Sequence, residues 1–306
     1  MIEPGSDCLA PPTQVGGDPA SPAGQPPGAR GSVRSGPVVE SGCDRLAPLA
    51  GAAPGSRVPA FEVAAVSNTG RVRHNNQDAF RIDAEHGVVI VADGMGGHKG
   101  GEVASRVAAD AVLRGLFTNG DPAAEDASAM LGRLGRVVEE ANAALFRAVA
   151  AAPELDGMGT TLVVAVFRNG HVYHAHVGDS RLYRWRGGLL EPLTRDHSLV
   201  QTLLDRGVFE TREQARAAGV GNNILTRGLG VEQRVEVELG SRPLEPGDLY
   251  LLCSDGLSGM VDDAAIAEVL GESSGQLDRA ADELLRLALE GGGVDNITLV
   301  LARPVA

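Results

Sequence analysis

The sequence predicts an α+β fold built on antiparallel strands, and two observations lead there. Residues 159–167 and 171–179 are β-rich runs joined by Asn169-Gly170, and residues 180–186 and 189–193 are joined by Gly187-Gly188, so consecutive strands return on themselves as hairpins. Such hairpins exclude a doubly wound parallel sheet. Two amphipathic helices accompany them: Val103, Ala104, Val107, Ala108 and Ala111 recur at helical spacing, as do Met130, Leu134, Val137, Ala141, Leu145 and Ala148.

In chain order, residues 61–66 read as the first strand and Ser67-Asn68-Thr69-Gly70 as its turn. A polar loop over 71–78 precedes a short strand at 79–82, and five apolar residues at 88–92 have the pattern of a strand buried on both faces. The helices, 101–117 and 130–148, are separated by the turn signal Asn119-Gly120-Asp121-Pro122. After the hairpins, residues 198–227 break the β pattern with two short helical pieces, 199–205 and 212–218, and read as a surface flap. Strands at 234–239 and 249–254, helices at 263–270 and 276–290, and a last strand at 297–302 complete the chain.

Residues 1–60 stand apart. They hold 11 of the 17 prolines and 10 glycines and no Phe, Trp or Tyr, too little apolar surface to offset chain entropy, so they read as a disordered arm. Five acids and four arginines nearly cancel there, leaving −12 of the net charge of −13 on residues 61–306. An acidic domain argues against nucleic acid and anionic membranes as partners and suits a protein that gathers cations. Cys8, Cys43 and Cys253 lack metal-type spacing, no apolar run has membrane length, and the first residues lack an apolar secretory segment. The expectation is a cytoplasmic protein, acting as a monomer.

The organising stretch is 88–102, where the buried strand ends on Asp93 and is followed by Gly94, Gly96, Gly97, Gly100 and Gly101. It is not a phosphate-cradling P-loop, because Lys99 precedes Gly100 rather than Ser or Thr, and not a dinucleotide fingerprint, because Lys99 stands where the third glycine belongs. What remains is an acid plus free backbone oxygen at a strand end, the kind of site a hard cation prefers. Asp179 and Asp255 end two further apolar runs, and Asp295 precedes one. In antiparallel sheets such ends share an edge, so the four acids could converge. Carboxylates within about 5 Å would repel by roughly 3 kcal/mol per pair at an effective dielectric near 20, so the cluster needs cations. All-oxygen ligands point to Mg²⁺ or Mn²⁺ rather than Zn²⁺; Ca²⁺ stays open, although no stretch has the ladder of an EF-hand loop.

Arg73 to Asp78 with Gln77-Asp78, then Asp93-Gly94-Met95-Gly96-Gly97, Gly159-Thr160-Thr161, Gly178-Asp179-Ser180-Arg181, Cys253-Ser254-Asp255-Gly256 and Asp295-Asn296 occur in the order and approximate spacing of the metal-dependent type 2C protein phosphatases. Over residues 61–303 the chain resembles the bacterial members of that family. The resemblance implies a four-layer α-β-β-α sandwich of two antiparallel sheets, with two or three Mg²⁺ or Mn²⁺ ions at one edge. It implies Asp93 bridging two metals with help from the Gly94 carbonyl, Asp255 and Asp295 completing the pair, and Asp179 holding a third ion with Asp255. Arg73 would bind the substrate phosphate and Asp78 would support the cluster, with Gln77 and Asn296 standing behind the ligands. The activity implied is hydrolysis of phosphoserine and phosphothreonine by in-line attack of a metal-bridged water, opposing bacterial Ser/Thr kinases; the partners implied are phosphorylated proteins, a kinase among them.

Two positions depart from the family pattern. Met95 stands where many eukaryotic relatives have a histidine proposed as the leaving-group acid, and Gln77 stands where Glu is frequent; bacterial-type members share both. Two other readings carry weight: a catalytically silent module that binds phosphoproteins, and the branch of the fold that regulates sigma factors. The remaining polar residues have plainer readings. His98 and Lys99 are expected at the site rim, His171, His174 and His176 in packing or surface roles, and Cys253 as an inert core thiol. Asp196-His197-Ser198 is not a hydrolase triad, because three consecutive residues cannot adopt that geometry.

Overall fold

Period-two burial sorts this chain into layers. In the computed structural model, which describes residues 38–40, 58–96, 100–118, 126–221, 224–273 and 275–305, alternate residues of each central strand face different cores. The first half contributes β1 (Val38–Glu40), β2 (Ala60–Asn68), β3 (Asp78–Asp83), β4 (Val88–Met95), α1 (Gly100–Phe117) and α2 (Ala127–Ala151). The hairpins follow as β5 (Gly159–Thr160), β6 (Leu162–Arg168), β7 (His171–Val177), β8 (Arg181–Arg186) and β9 (Leu189–Pro192). The flap supplies α3 (Leu199–Asp205) and α4 (Arg212–Ala217). Last come β10 (Glu238–Pro243), β11 (Leu249–Cys253), α5 (Asp255–Ser258), α6 (Asp263–Glu272), α7 (Leu277–Glu290) and β12 (Ile297–Val305).

The first sheet runs β1-β3-β4-β6-β7-β10, with β5 beside β4, and the second runs β2-β12-β11-β8-β9; every pairing is antiparallel. Val88, Ile90 and Ala92 of β4 pack outward on α1 and α2, while Val89 and Val91 point inward with Phe80, Val163 and Ala165 against Tyr250, Leu252 and Val300 of the other sheet. Leu251, Leu299 and Leu301 face the opposite way, onto α6 and α7. The result is the expected four-layer α-β-β-α sandwich. At roughly 1.5–3 kcal/mol per fully buried Val, Leu or Ile, these three cores hold the layers together. Asn169 (φ 52°) and Gly170 (φ 70°) make the turn between β6 and β7, both left-handed as a type I′ hairpin requires.

Three details differ from the sequence expectation. Val38–Glu40 lies inside the expected arm yet pairs with β3, whose outer edge offers an unpaired ladder to β-branched residues; most of the rest of residues 1–60 is outside the described residues, as are Cys8, Cys43, His98 and Lys99 and most of the link after α1. The strand expected at 234–239 forms instead as β10, because Val235 and Val237 are drawn into the helix-side core before the backbone meets β7; Pro243 is tolerated at the end of this edge strand. Third, Asp255 does not merely follow β11. It opens the one-turn helix α5. Among the described residues, no helix is long and apolar enough to cross a membrane.

Candidate active site

The inward-facing parity of four strands brings polar side chains to one end of the layer between the sheets. Asp78 and Asp93 are opposed in the β3–β4 register, on the same face as Phe80 and Val91. Ser254 and Thr298 continue the inward faces of β11 and β12, and Ser254 Oγ donates to Asp78 Oδ2 at 2.8 Å across the two sheets. Asp255 follows on α5, Asp295 precedes β12, and Asp179 follows β7. A cleft of about 170 Å³ is lined by Arg73, Asp93, Gly94, Asp179, Asp255 and Asp295. The acids that the sequence placed at strand ends therefore meet.

Electrostatics show how crowded the group is. Burial, then the charges of Asp78, Asp255, Asp179 and Asp295, push the Asp93 carboxyl well above the usual carboxylate range. Burial pushes Asp78 up to about 7 against the hydrogen bonds from Thr298 and Ser254. Asp179 rises to about 7 through burial, Asp255 and Asp196, and Asp255 rises through burial and Asp295. Asp78 Oδ1 and Asp255 Oδ1 are buried with no hydrogen-bond donor among the described residues. Buried carboxylate oxygens facing other carboxylates rather than N–H or O–H groups are a donor set for hard divalent cations, so the residues present fit Mg²⁺ or Mn²⁺.

Backbone geometry adds to the fit. The Gly94 N–H donates to the Gln77 carbonyl at 3.1 Å, and a Cβ at Gly94 would lie 2.0 Å from the Gly101 carbonyl oxygen, so only glycine lets the strand end lie this close to the start of α1. Arg73 sits on the outer wall, half exposed, with Nη2 donating to Asp295 Oδ2 at 2.7 Å; four of the five guanidinium N–H donors are not needed for that bond. Asn296 fixes the loop that carries Arg73. Its Nδ2 donates to the Thr69 and Asn75 carbonyls at 2.9 and 3.0 Å, and its Oδ1 accepts from the Gln77 N–H at 2.8 Å. Gln77 also takes Ser105 Oγ on its carbonyl at 2.6 Å, tying that loop to α1. Met95 points its thioether toward Gly159 and Gly228 and offers no proton.

Sequence reasoning missed the hydroxyls. Thr161 Oγ1 accepts the Asp93 N–H at 3.0 Å and shares a 2.7 Å bond with Ser180 Oγ, while Thr160 Oγ1 donates to the Asp93 carbonyl at 2.8 Å. These residues lie inside the Gly-Thr-Thr and Gly-Asp-Ser-Arg strings, so their positions were visible and their contacts were not. Cys253 is buried and free, its thiol pushed up to about 12 by burial, as expected of an inert core residue.

The family model described as protein phosphatase 2C matches residues 70–290, which include every one of these acids except Asp295. This chain belongs to the protein phosphatase 2C family. The serine/threonine protein phosphatase PstP of Mycobacterium tuberculosis is 40% identical over 239 residues, 78% of this chain and 44% of that protein, so the chain spans under half the length of that relative. The serine/threonine phosphatase stp of Listeria innocua is 39% identical over 244 residues, 77% of this chain and 92% of its own length. The crystal structure of the PstP catalytic domain, in complex with two manganese ions, superposes with a TM-score of 0.70 at 38% identity, covering 80% of this chain and 99% of that one.

Proposed function

We propose that the protein is a metal-dependent protein serine/threonine phosphatase, hydrolysing phosphoserine and phosphothreonine. The observation that carries this reading is the convergence of Asp78, Asp93, Asp179, Asp255 and Asp295 beside Arg73, with buried carboxylate oxygens that no donor among the described residues satisfies. Asp93, Asp255, Asp295 and the Gly94 carbonyl would hold two divalent cations, and Asp179 a third. Bound there, Mg²⁺ or Mn²⁺ would supply Lewis acidity, neutralise the phosphate and make water a nucleophile at neutral pH.

The chain's own residues do the rest. Arg73 lies on the wall of the acid cleft and offers a planar fork to the phosphate oxygens, which suits bidentate anchoring and orientation of the phosphoryl group. Asp78 sets Asp93 across the β3–β4 register while Ser254 holds Asp78, and Asn296 with Gln77 keeps the Arg73 loop over the site. Because Met95 carries no acidic proton, no side chain at that position protonates the leaving alkoxide. The substrates are phosphorylated proteins, a Ser/Thr kinase among them. The acidic domain supports neither nucleic acid nor anionic membrane as partner, and we place the protein in the cytoplasm as a monomer.

The test is hydrolysis of p-nitrophenyl phosphate and of a phosphothreonine peptide by purified protein with Mn²⁺. Turnover that disappears with chelator and in Asp93→Asn or Asp255→Asn, with circular dichroism unchanged, supports the reading. A folded wild-type protein that hydrolyses neither substrate contradicts it and leaves the silent-module alternative.

A further inference from the structure

The acid cleft has a charged floor and an apolar rim. Three of the seven exposed large hydrophobic side chains among the described residues stand around it: Val72 (61% exposed), Val231 (60%) and Val294 (49%). A single exposed valine needs no explanation, but a group of them beside a polar cleft marks a surface that something covers. Two of the three adjoin the residues that would handle the phosphoryl group, since Val72 precedes Arg73 and Val294 precedes Asp295.

Two contacts lock the loops that carry these valines. The Arg71 N–H donates to the Gly293 carbonyl at 2.7 Å, and Arg73 Nη2 donates to Asp295 Oδ2 at 2.7 Å. Val72 and Val294 are the residues between those two rungs, one on each loop. The loops lie so close that a Cβ at Gly70, which has φ +79°, would fall 2.2 Å from the Asp295 carbonyl oxygen. The apolar strip continues past Val294: a Cβ at Gly292 would meet Val294 Cγ1 at 3.4 Å and Met260 Sδ at 3.8 Å. Val294 and Met260 together line a groove of about 610 Å³ that reaches Asp179, Asp255 and Asp295. A second apolar group borders the cleft at Met95. A Cβ at Gly228 would strike Met95 Cε at 2.5 Å and approach Val231 Cγ2 at 3.2 Å, so Met95 and Val231 flank one small space.

We infer that Val72 and Val294 are specificity-determining residues, and that the phosphosegments this chain prefers carry an aliphatic residue next to the phosphorylated one. The inference rests on the phosphatase reading of the site and narrows its substrates. A phosphoryl group held by Arg73 brings the neighbouring residue of the substrate against the two valines. An aliphatic side chain there removes apolar surface from water on both partners. A serine gains nothing comparable, because neither valine side chain offers it a hydrogen bond.

The experiment compares phosphothreonine peptides that differ only in leucine or serine directly before or directly after the phosphothreonine, hydrolysed by the full chain with saturating Mn²⁺. The wild type should favour leucine on at least one side by about 10-fold in kcat/KM, the scale of discrimination that a small apolar contact supplies. The difference should sit in KM, because the contact is made equally before and during reaction. The double variant Val72→Thr, Val294→Thr keeps the shape of the rim and replaces one methyl of each valine with a hydroxyl. It should shrink the ratio to about 2-fold or less. The ratio compares two substrates on one enzyme, so a slower variant leaves it readable. If the double variant fails to fold, Val294→Thr alone should still lower the ratio. A wild type that treats leucine and serine alike on both sides overturns the inference, and so does a folded double variant that keeps the whole preference. Hydrolysis of p-nitrophenyl phosphate by a wild type without leucine preference leaves the phosphatase reading standing and removes only this one; hydrolysis of neither p-nitrophenyl phosphate nor any peptide removes both.

Discussion

Asp78→Asn gives the sharpest view of how the acids are held. Asp78 rises from an ordinary 3.8 to about 7 because it is buried, and about three units at about 1.4 kcal/mol each amount to ~4 kcal/mol. The sign follows from proton counting: between pH 4 and 7 the native state keeps a proton that the unfolded chain has lost. Stability is therefore highest below about pH 4 for this group and falls as pH rises to 7. Asparagine keeps an acceptor for Ser254 Oγ and cannot ionise. Urea unfolding of chelator-treated protein at pH 4, 5.5 and 7 should show the variant gaining on the wild type by about 4 kcal/mol across that range. Saturating Mn²⁺ should abolish the gain, since cations stabilise the ionised carboxylates. Parallel stability curves for the two metal-free proteins would refute the claim that burial of this acid strains the site.

Three further outcomes are expected. Arg73→Ala should raise KM for p-nitrophenyl phosphate by about 10- to 100-fold, the value of one charge-assisted contact, while calorimetry finds Mn²⁺ binding intact. Asn296→Ala removes three hydrogen bonds that close the Arg73 loop and should lower unfolding free energy by about 2–4 kcal/mol in urea melts. Gly94→Ala forces a methyl group against the Gly101 and Gln77 carbonyls and should cost about 1–3 kcal/mol and weaken Mn²⁺ binding, read by thermal melts with and without the ion.

Much of this site could be read from the chain because its logic is local. A buried strand such as β4 has an unmistakable apolar run, and an acid that ends it must emerge at the edge of the sheet. The two flap helices were equally legible as short helical pieces, and the fold shows Ser198 and Thr211 capping their starts. What the sequence withheld depends on which partners the fold brings together. Nothing near Ser254 indicates that its hydroxyl reaches Asp78, 176 positions earlier, and nothing near His197 indicates Gly178. The β10 register was misplaced because Val235 and Val237 alternate like a strand while serving the helix-side core. The pairing of Val38–Glu40 was hidden by its neighbours, whose proline and glycine content speaks for the whole arm.

The central claim is that five aspartates share one small space that divalent cations make tolerable. Calorimetric titration of Mn²⁺ into chelator-stripped protein at pH 6, in two buffers of different ionisation enthalpy, tests it directly. The account predicts at least two ions per chain, with protons released as raised carboxyls give way to metal. Binding of no ion, or uptake without proton release, would contradict it.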